Sequence, residues 1–188
     1  MRRSFILIPL MLLTLTAHAQ FVVSQDKSTL AIDGTSNVHD WTETAEVIKG
    51  TMDLTLAGNV VEEITALNLT IPVNSLKSGK STMDKNTYKA LKESEHPNIY
   101  FRLKSARVEG LNIHFIGSLT VAGSTKEVDL KATYSSSSSH IIINGEYACK
   151  MTDFGVQPPT AMLGTMKTGD DIVISFSVAF KNDINNPN

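Results

Sequence analysis

The sequence predicts an all-β domain of about eight antiparallel strands, folded as a barrel or a sandwich and interrupted by one short helix. Apolar and polar residues alternate in one segment after another, which is the pattern of strands with one buried face. Turn-forming pairs such as Gly58-Asn59 and Glu109-Gly110 separate these segments. The alternation gives way to helical spacing in a single stretch, residues 81–101.

Three strands are predicted before the helix, at residues 30–36, 41–56 and 62–73. The second of them is long, and Gly50 predicts a break or a bulge within it. In the third, apolar side chains occur at every second position and therefore share one face, beginning with Leu67. These segments predict the first half of a closing sheet.

The helix has a predicted beginning and a predicted end. Ser81 is expected to cap its N-terminus, with Asp84 three residues later completing a weak capping box. Pro97 disfavours helical geometry at His96 and is expected to terminate the helix there.

The apolar face of this helix has two interpretations. Met83, Tyr88 and Leu91 form the predicted face, and periodicity alone favours a packing role for it. The functional interpretation is a lid over an apolar cavity at one end of the sheet structure. A helix in this place is therefore either a plug or a lid.

Five further strands are predicted after the helix. A long connection rich in glycine and proline, residues 153–171, precedes the last of them, and the serine run 135–139 is expected to be a hairpin loop. The predicted strands are residues 98–108, 112–121, 126–134, 141–150 and 172–180. Their inward positions are Leu, Ile, Val and Phe on the clearest strands, so the interior, full or hollow, is expected to be apolar.

The first 19 residues predict a cleavable signal peptide. Two arginines precede an apolar run at residues 5–15, which is too short for a membrane span, and Ala17-His18-Ala19 fits the cleavage pattern. The mature domain is then residues 20–188, exported to the periplasm or secreted. An uncleaved N-terminal anchor is the alternative, and no later segment is apolar enough to cross a membrane.

Charge and cysteine content narrow the function classes. The formal net charge is −2 and no basic cluster is present, so nucleic acid is not expected as a partner. Cys149 is the single cysteine, which excludes an internal disulfide. Without the flanking signature of a thiol enzyme, Cys149 is interpreted as a small, partly buried strand residue rather than a catalytic thiol.

The sequence carries no nucleophile elbow, phosphate loop or zinc-protease motif. The histidines have no metal-ligand spacing, so neither a metal nor a cofactor is predicted. His39-Asp40 is the most suggestive pair, although turn formation also accounts for it. Trp41, the single tryptophan, is interpreted as a packing anchor ahead of a ligand-stacking role.

The order and spacing of several short segments resemble the YceI-like polyisoprenoid-binding proteins, which are exported, lipocalin-like β-barrels. The resemblance spans nearly the whole mature chain. The matching segments are residues 36–41 (SNVHDW), 83–84 (MD), 89–92 (KALK), 96–101 (HPNIYF), 117–123 (GSLTVAG), 152–159 (TDFGVQPP) and 167–170 (KTGD).

The resemblance implies a lipocalin-like barrel that holds a polyisoprenoid or another long-chain lipid, with the helix near its mouth. It implies no catalytic residues, and homodimers occur among similar proteins. The predicted ligand-binding residues are the inward strand residues, the apolar helix residues and two residues of the long connection: Leu67, Leu69, Ile71, Met83, Tyr88, Leu91, Phe101, Leu103, Phe115, Leu119, Leu130, Phe154, Met162, Ile174 and Phe176.

The leading hypothesis is therefore a periplasmic lipid-binding barrel for transport or storage, and not an enzyme. Two alternatives stay open. One is an enzyme that acts on a lipid or small molecule through His39 and Asp40. The other is a solidly packed structural or interaction barrel without an internal cavity.

Overall fold

Twelve β-strands and one α-helix are present in residues 18–161 and 164–182, the part of the chain that the computed structural model describes. The elements are β1 (His18–Val23), β2 (Thr29–Ser36), β3 (Trp41–Ala45), β4 (Lys49–Ala57), β5 (Val60–Pro72), β6 (Leu76–Lys77), α1 (Ser81–Ala90), β7 (Asn98–Glu109), β8 (Asn112–Val121), β9 (Ser124–Ser136), β10 (Ile141–Lys150), β11 (Thr160–Ala161) and β12 (Met166–Asn182).

Eight of these strands form a closed antiparallel barrel. The hydrogen-bonded order is β1-β4-β5-β7-β8-β9-β10-β12, and β12 pairs back to β1 through Phe21 opposite Asn182. Closure leaves no free sheet edge within this ring. The predicted all-β barrel of about eight strands, with one short helix, is therefore confirmed.

A three-stranded branch leaves the barrel at β12. This strand has 17 residues, and only its C-terminal end pairs with β1. Its preceding part pairs with β2, for example Ile174 opposite Ile32, after which β2 pairs with β3 and β3 with β6. The branch and α1 together build the wall of one end of the molecule.

The ring encloses a packed core over much of its length. Its fully buried side chains include Phe115, Phe180, Met52, Leu54 and Ile113, each at most 2% exposed. A second cluster of buried residues lies where the branch, β5 and the helix meet, and it contains Leu30, Ile71, Val73, Leu76 and Ile99 among others. The interior thus has a packed region inside the ring and a second region beside the branch and the helix.

The single strand predicted at residues 41–56 is wrong, because the chain breaks into β3 and β4. Between them Ile48 is buried, and its backbone N–H donates to the side-chain oxygen of Gln25 at 2.6 Å. The interruption predicted at Gly50 is also wrong. Gly50 pairs in register with Leu69, and the register shifts of β4 come later.

The helix begins at Ser81 as predicted, but the predicted cap is wrong. Lys80 occupies the N-cap position and no side chain caps the helix. Asp84 instead accepts hydrogen bonds from the backbone N–H and the hydroxyl of Ser78, at 2.9 and 2.6 Å. Asp84 therefore fixes the loop before the helix rather than the helix's own first turn.

The helix ends at Ala90, earlier than the predicted stop before Pro97. Lys92 has a φ of 54°, and this left-handed residue turns the chain out of the helix. The intervening residues form turns that return to β7. Among the residues described, we find no helix with the length and apolarity that a membrane crossing requires.

The connection predicted at residues 153–171 contains regular structure. It includes a short 3₁₀-helix, Met151–Phe154, then β11, and the first residues of β12. Asn37 in the β2–β3 turn accepts from the backbone N–H of Lys167 at 2.8 Å and donates to the carbonyl of Thr165 at 2.9 Å. These bonds hold the connection against the β2–β3 turn of the branch.

We expect Phe115→Ala to lower the free energy of unfolding by about 3–5 kcal/mol, because it opens a cavity in the packed region. Phe115 is 2% exposed. Urea unfolding followed by circular dichroism measures the change. Val60→Ala, at a position 56% exposed, is the control and should change stability by about 0.5 kcal/mol or less. A loss below about 1 kcal/mol at Phe115 would contradict dense packing there.

Candidate ligand-binding cavity

A cavity of about 530 Å³ lies between the branch, the helix and the adjoining barrel wall. This volume falls within the range of small-molecule sites in proteins. Its lining residues are Leu30, Ile32, Ser36, His39, Trp41, Glu43, Ile71, Leu76, Lys80, Thr82, Met83, Asn86, Thr87, Ala90, Leu91, Ile99, Leu119, Val121, Cys149, Met151, Phe154, Val156, Pro159, Thr160, Met166, Thr168, Ile172 and Ile174.

Most of the cavity wall is apolar. Aliphatic side chains from β2, β8 and β12 face Met83 and Leu91 of the helix across it. Several of these apolar residues are only half-buried although they point inward, Ile174 and Leu119 among them. Their exposed surface faces the cavity, so the interior here is hollow rather than filled by facing side chains.

The mouth of the cavity is marked by its exposed lining residues. These are His39 in the β2–β3 turn, Lys80 and Thr82 at the start of the helix, and Thr160 in β11. The N-terminal end of the helix is therefore part of the rim. The rest of the helix borders the interior through Met83, Thr87 and Ala90, and Leu91 directly after the helix does so as well.

Trp41 borders the cavity and is held in a fixed position. Its indole N–H donates to the carbonyl of Thr35 at 3.0 Å. The ring lies against Gly34, where a Cβ atom would come within 2.2 Å of it. A side chain at Gly34 would displace the indole, so glycine is required for this close approach. Trp41 is therefore an anchored residue that also lines the cavity, and its role in stacking on a ligand stays a prediction.

Glu43 places a carboxyl group in the cavity wall, and the expectation of a purely apolar interior is wrong at this position. Glu43 is 2% exposed, and the hydroxyl of Thr87 on the helix donates a hydrogen bond to it. Burial raises the pKa of Glu43, and the nearby Asp84 carboxylate adds to the rise, while the Thr87 bond opposes it.

A signal for Glu43 was present in the sequence. Trp41, Glu43 and Ala45 occupy alternate positions of β3 and share its inward face. The merged strand predicted at residues 41–56 obscured this alternation. Periodicity read over β3 alone would have placed the carboxyl inside.

The predicted ligand-binding residues divide between the cavity and the core. Six line the cavity: Ile71, Met83, Leu91, Leu119, Phe154 and Ile174. Eight do not line it and pack in the hydrophobic clusters instead: Leu67, Leu69, Tyr88, Phe101, Leu103, Phe115, Leu130 and Phe176. Met162 lies outside the described residues. Alternation identifies inward side chains but carries no information about their depth along the barrel. A role in ligand binding stays a prediction for all of them.

Tyr88 is engaged at its polar end. Its hydroxyl accepts a hydrogen bond from the Lys77 ammonium at 2.6 Å and donates to the carbonyl of Leu76 at 2.9 Å. The hydrogen bond between Lys77 and Tyr88 raises the pKa of Lys77. Tyr88 therefore attaches the helix to β6 and is not one of the cavity-lining residues.

Cys149 and His39 offer little for catalysis. Burial raises the pKa of the Cys149 thiol to about 11, so the nucleophilic thiolate is scarce at neutral pH. His39 is exposed at the rim, and its Nδ1 lies 2.9 Å from the backbone carbonyl of Asp40. Within residues 18–161 and 164–182, no cluster of three His, Cys, Asp or Glu side chains is arranged to hold a metal ion.

The sequence model of the YceI-like domain matches residues 17–180 of the chain. The chain belongs to the YceI-like family. The family resemblance predicted from the short segments is therefore confirmed. Among curated protein sequences, none matched the chain.

Solved structures share the YceI-like fold. Burkholderia cenocepacia BcnA superposes with a TM-score of 0.70 at 17% identity, over 84% of this chain and 98% of that one. A polyisoprenoid binding domain from Saccharophagus degradans, implicated in plant cell wall breakdown, gives 0.69 at 12% identity over 89% and 99%. The Campylobacter jejuni YCEI protein gives 0.62 at 20% identity over 75% and 84%. At these identities the likeness is one of fold.

We expect Glu43→Gln to stabilise the protein relative to wild type as pH rises. Because the pKa of Glu43 is raised in the folded state, the fold retains this proton more strongly than the unfolded chain does. The wild type loses stability as pH rises through the folded pKa, whereas below the ordinary value near 4.5 both states are protonated.

Urea unfolding of both proteins at about pH 4 and about pH 8 measures this difference. Other carboxylates are common to the two proteins and cancel. Glu46→Gln, at an exposed position after β3, controls for the loss of one carboxylate. A stability difference between Glu43→Gln and wild type that is the same at both pH values would contradict the prediction.

Proposed function

We propose that the protein binds a polyisoprenoid or a similar long-chain amphiphile in this cavity, for transport or storage. The observation that supports this most directly is a largely apolar cavity of about 530 Å³ that opens at the mouth beside the start of the helix. Each buried CH₂ group contributes roughly 0.8 kcal/mol, so a long chain needs few polar contacts for tight binding. Membership of the YceI-like family supports the proposal, as does the fold shared with the polyisoprenoid binding domain from Saccharophagus degradans.

The cavity favours binding over the solidly packed alternative. Side chains that would fill a packed barrel, such as Leu119 and Ile174, instead leave part of their surface facing open space. The enzyme alternative has weaker support. His39 Nδ1 lies 2.9 Å from the backbone carbonyl of Asp40, and no carboxylate of the described residues forms an ion pair with His39 that would orient it as a base.

We propose export to the periplasm or secretion through removal of residues 1–19. The support is the N-terminal sequence pattern. The cut falls inside β1 and removes His18 and Ala19, which pair with Thr55 and Leu54 of β4. A cut after Ala19 leaves the register pairs of residues 21–23 with β12 intact. It also leaves the buried Phe21, which is 5% exposed. The barrel would keep its closure after processing.

We expect wild-type protein, purified from the cell without detergent, to carry lipid that organic extraction and mass spectrometry detect. We expect Ala90→Phe to carry at least about tenfold less, because the larger side chain on the helix fills the cavity that Ala90 borders. Val60→Phe adds the same ring at an exposed hairpin position and should retain the wild-type amount.

The lipid content is compared at equal amounts of folded protein, with circular dichroism as the check. A wild type free of lipid that also takes up no added prenyl lipid would overturn the proposed function. Equal lipid in wild type and Ala90→Phe would place the ligand elsewhere.

We expect the exported protein to begin at Gln20, and the intact mass of the protein released from the periplasm measures this. Ala19→Phe replaces the small residue before the cut and should leave the leader attached. An exported wild-type protein that retains residues 1–19 would support the uncleaved anchor instead.

A further inference from the structure

Glu43 is the one acidic residue among the described residues that line the cavity. What it could bind there rests on the proposed function of the cavity. Glu43 lies on β3 opposite Ile32 of β2, with Trp41 and Ala45 on the same face. Its wall is otherwise formed largely by aliphatic and aromatic side chains. A carboxyl group in such surroundings is costly unless it is hydrogen-bonded.

The described residues supply one side-chain hydrogen bond to this carboxyl. The Thr87 hydroxyl donates to Oε1 of Glu43, and no other side chain of residues 18–161 and 164–182 bonds to either oxygen. No lysine, arginine or histidine in that part of the chain forms an ion pair with it. Since Glu43 lines the cavity, the second oxygen has capacity for a bond from a bound molecule.

The charges around Glu43 favour an uncharged partner. Asp84 on the helix is close enough to raise the pKa of Glu43, and the ammonium of Lys77 on β6 is bonded to Tyr88 instead. Lys80 lines the cavity but is exposed at the mouth. A second anion beside Glu43 would meet repulsion in a poorly solvated space.

A role as a simple attachment of the helix accounts for Glu43 less well. The bond to Thr87 engages one oxygen of the carboxyl and leaves the other without a side-chain donor among the described residues. Attachment of the helix does not explain why the Glu43 carboxyl borders an open cavity with one oxygen still able to form a hydrogen bond.

We propose that Glu43, supported by Thr87, binds the uncharged hydroxyl-bearing head group of a prenyl lipid whose chain occupies the apolar part of the cavity. A hydroxyl group fits either form of the carboxyl, since it donates to the carboxylate and accepts from the acid. A diphosphate or a fatty-acid carboxylate is repelled by the ionised form of Glu43 and by the nearby Asp84 carboxylate. The site thus selects neutral over anionic lipids of equal chain length.

Three probes with the same fifteen-carbon chain test this selection: farnesene without a head group, farnesol with a hydroxyl, and farnesyl diphosphate. Fluorescence of Trp41, the single tryptophan and a lining residue, reports binding to lipid-free protein. The quantity compared is the ratio of the affinities for farnesol and farnesene, because the chain contribution cancels in it.

We expect Glu43→Leu to lower the farnesol-to-farnesene affinity ratio about tenfold, the usual effect of losing one buried hydrogen bond. Glu43→Gln should keep this ratio within about threefold, since an amide also donates and accepts. The affinity for farnesyl diphosphate should be unchanged or higher in Glu43→Gln. Glu46→Leu, an exposed glutamate replaced by the same residue, is the matched control and should leave all three affinities unchanged.

Retained farnesene binding shows that each variant keeps an intact cavity. A ratio in Glu43→Leu equal to that of wild type overturns the inference and leaves the proposed function standing. Farnesyl diphosphate binding that weakens in Glu43→Gln also overturns it, because Glu43 would then favour an anionic head group. If wild type binds none of the three probes, the proposed function fails as well.

Discussion

The change of partner along one edge of β12, from β2 to β1, determines the rest of this structure. The end of β12 pairs with β1 and closes the ring, whereas the part before it pairs with β2, which carries β3 and β6 with it. One strand therefore closes the barrel and also supports the branch beside it. Because the branch and the helix border the cavity together with the barrel wall, the open space exists where β12 has changed partners. The pairing of β12 with β1 closes the barrel, and its pairing with β2 places the branch that borders the cavity.

The two regions of the interior differ in how completely their side chains are packed and hydrogen-bonded. In the packed region, large residues such as Phe115 and Phe180 fill the space between facing strands. Around the cavity, aliphatic residues remain half-buried, and Glu43 receives one side-chain hydrogen bond from the described residues, donated by Thr87. Unfilled apolar surface and unused hydrogen-bonding capacity cost stability in an isolated domain. Both features occur together around the cavity, which is consistent with a site that a bound molecule fills.

Alternation in the sequence predicted the strands because a half-buried sheet requires it. It identified Leu119 and Phe115 equally as inward, although the first borders the cavity and the second is packed. Depth along a barrel depends on register between distant strands, which a local pattern does not contain. The helix was found for a similar local reason, yet its cap was misassigned because Asp84 bonds to Ser78 in the preceding loop. Glu43 was missed because a break at a buried residue, Ile48, was not recognised.

The closing pair of strands has a consequence for how the chain acquires its structure. Phe21 pairs with Asn182, so the first and last strands of the barrel must meet before it is complete. Such long-range pairings are slow to form and raise the contact order. During synthesis, β12 is made after the seven other strands of the ring. The barrel therefore cannot close before β12 has been synthesised, and until then β1 and β10 each present an unpaired strand edge.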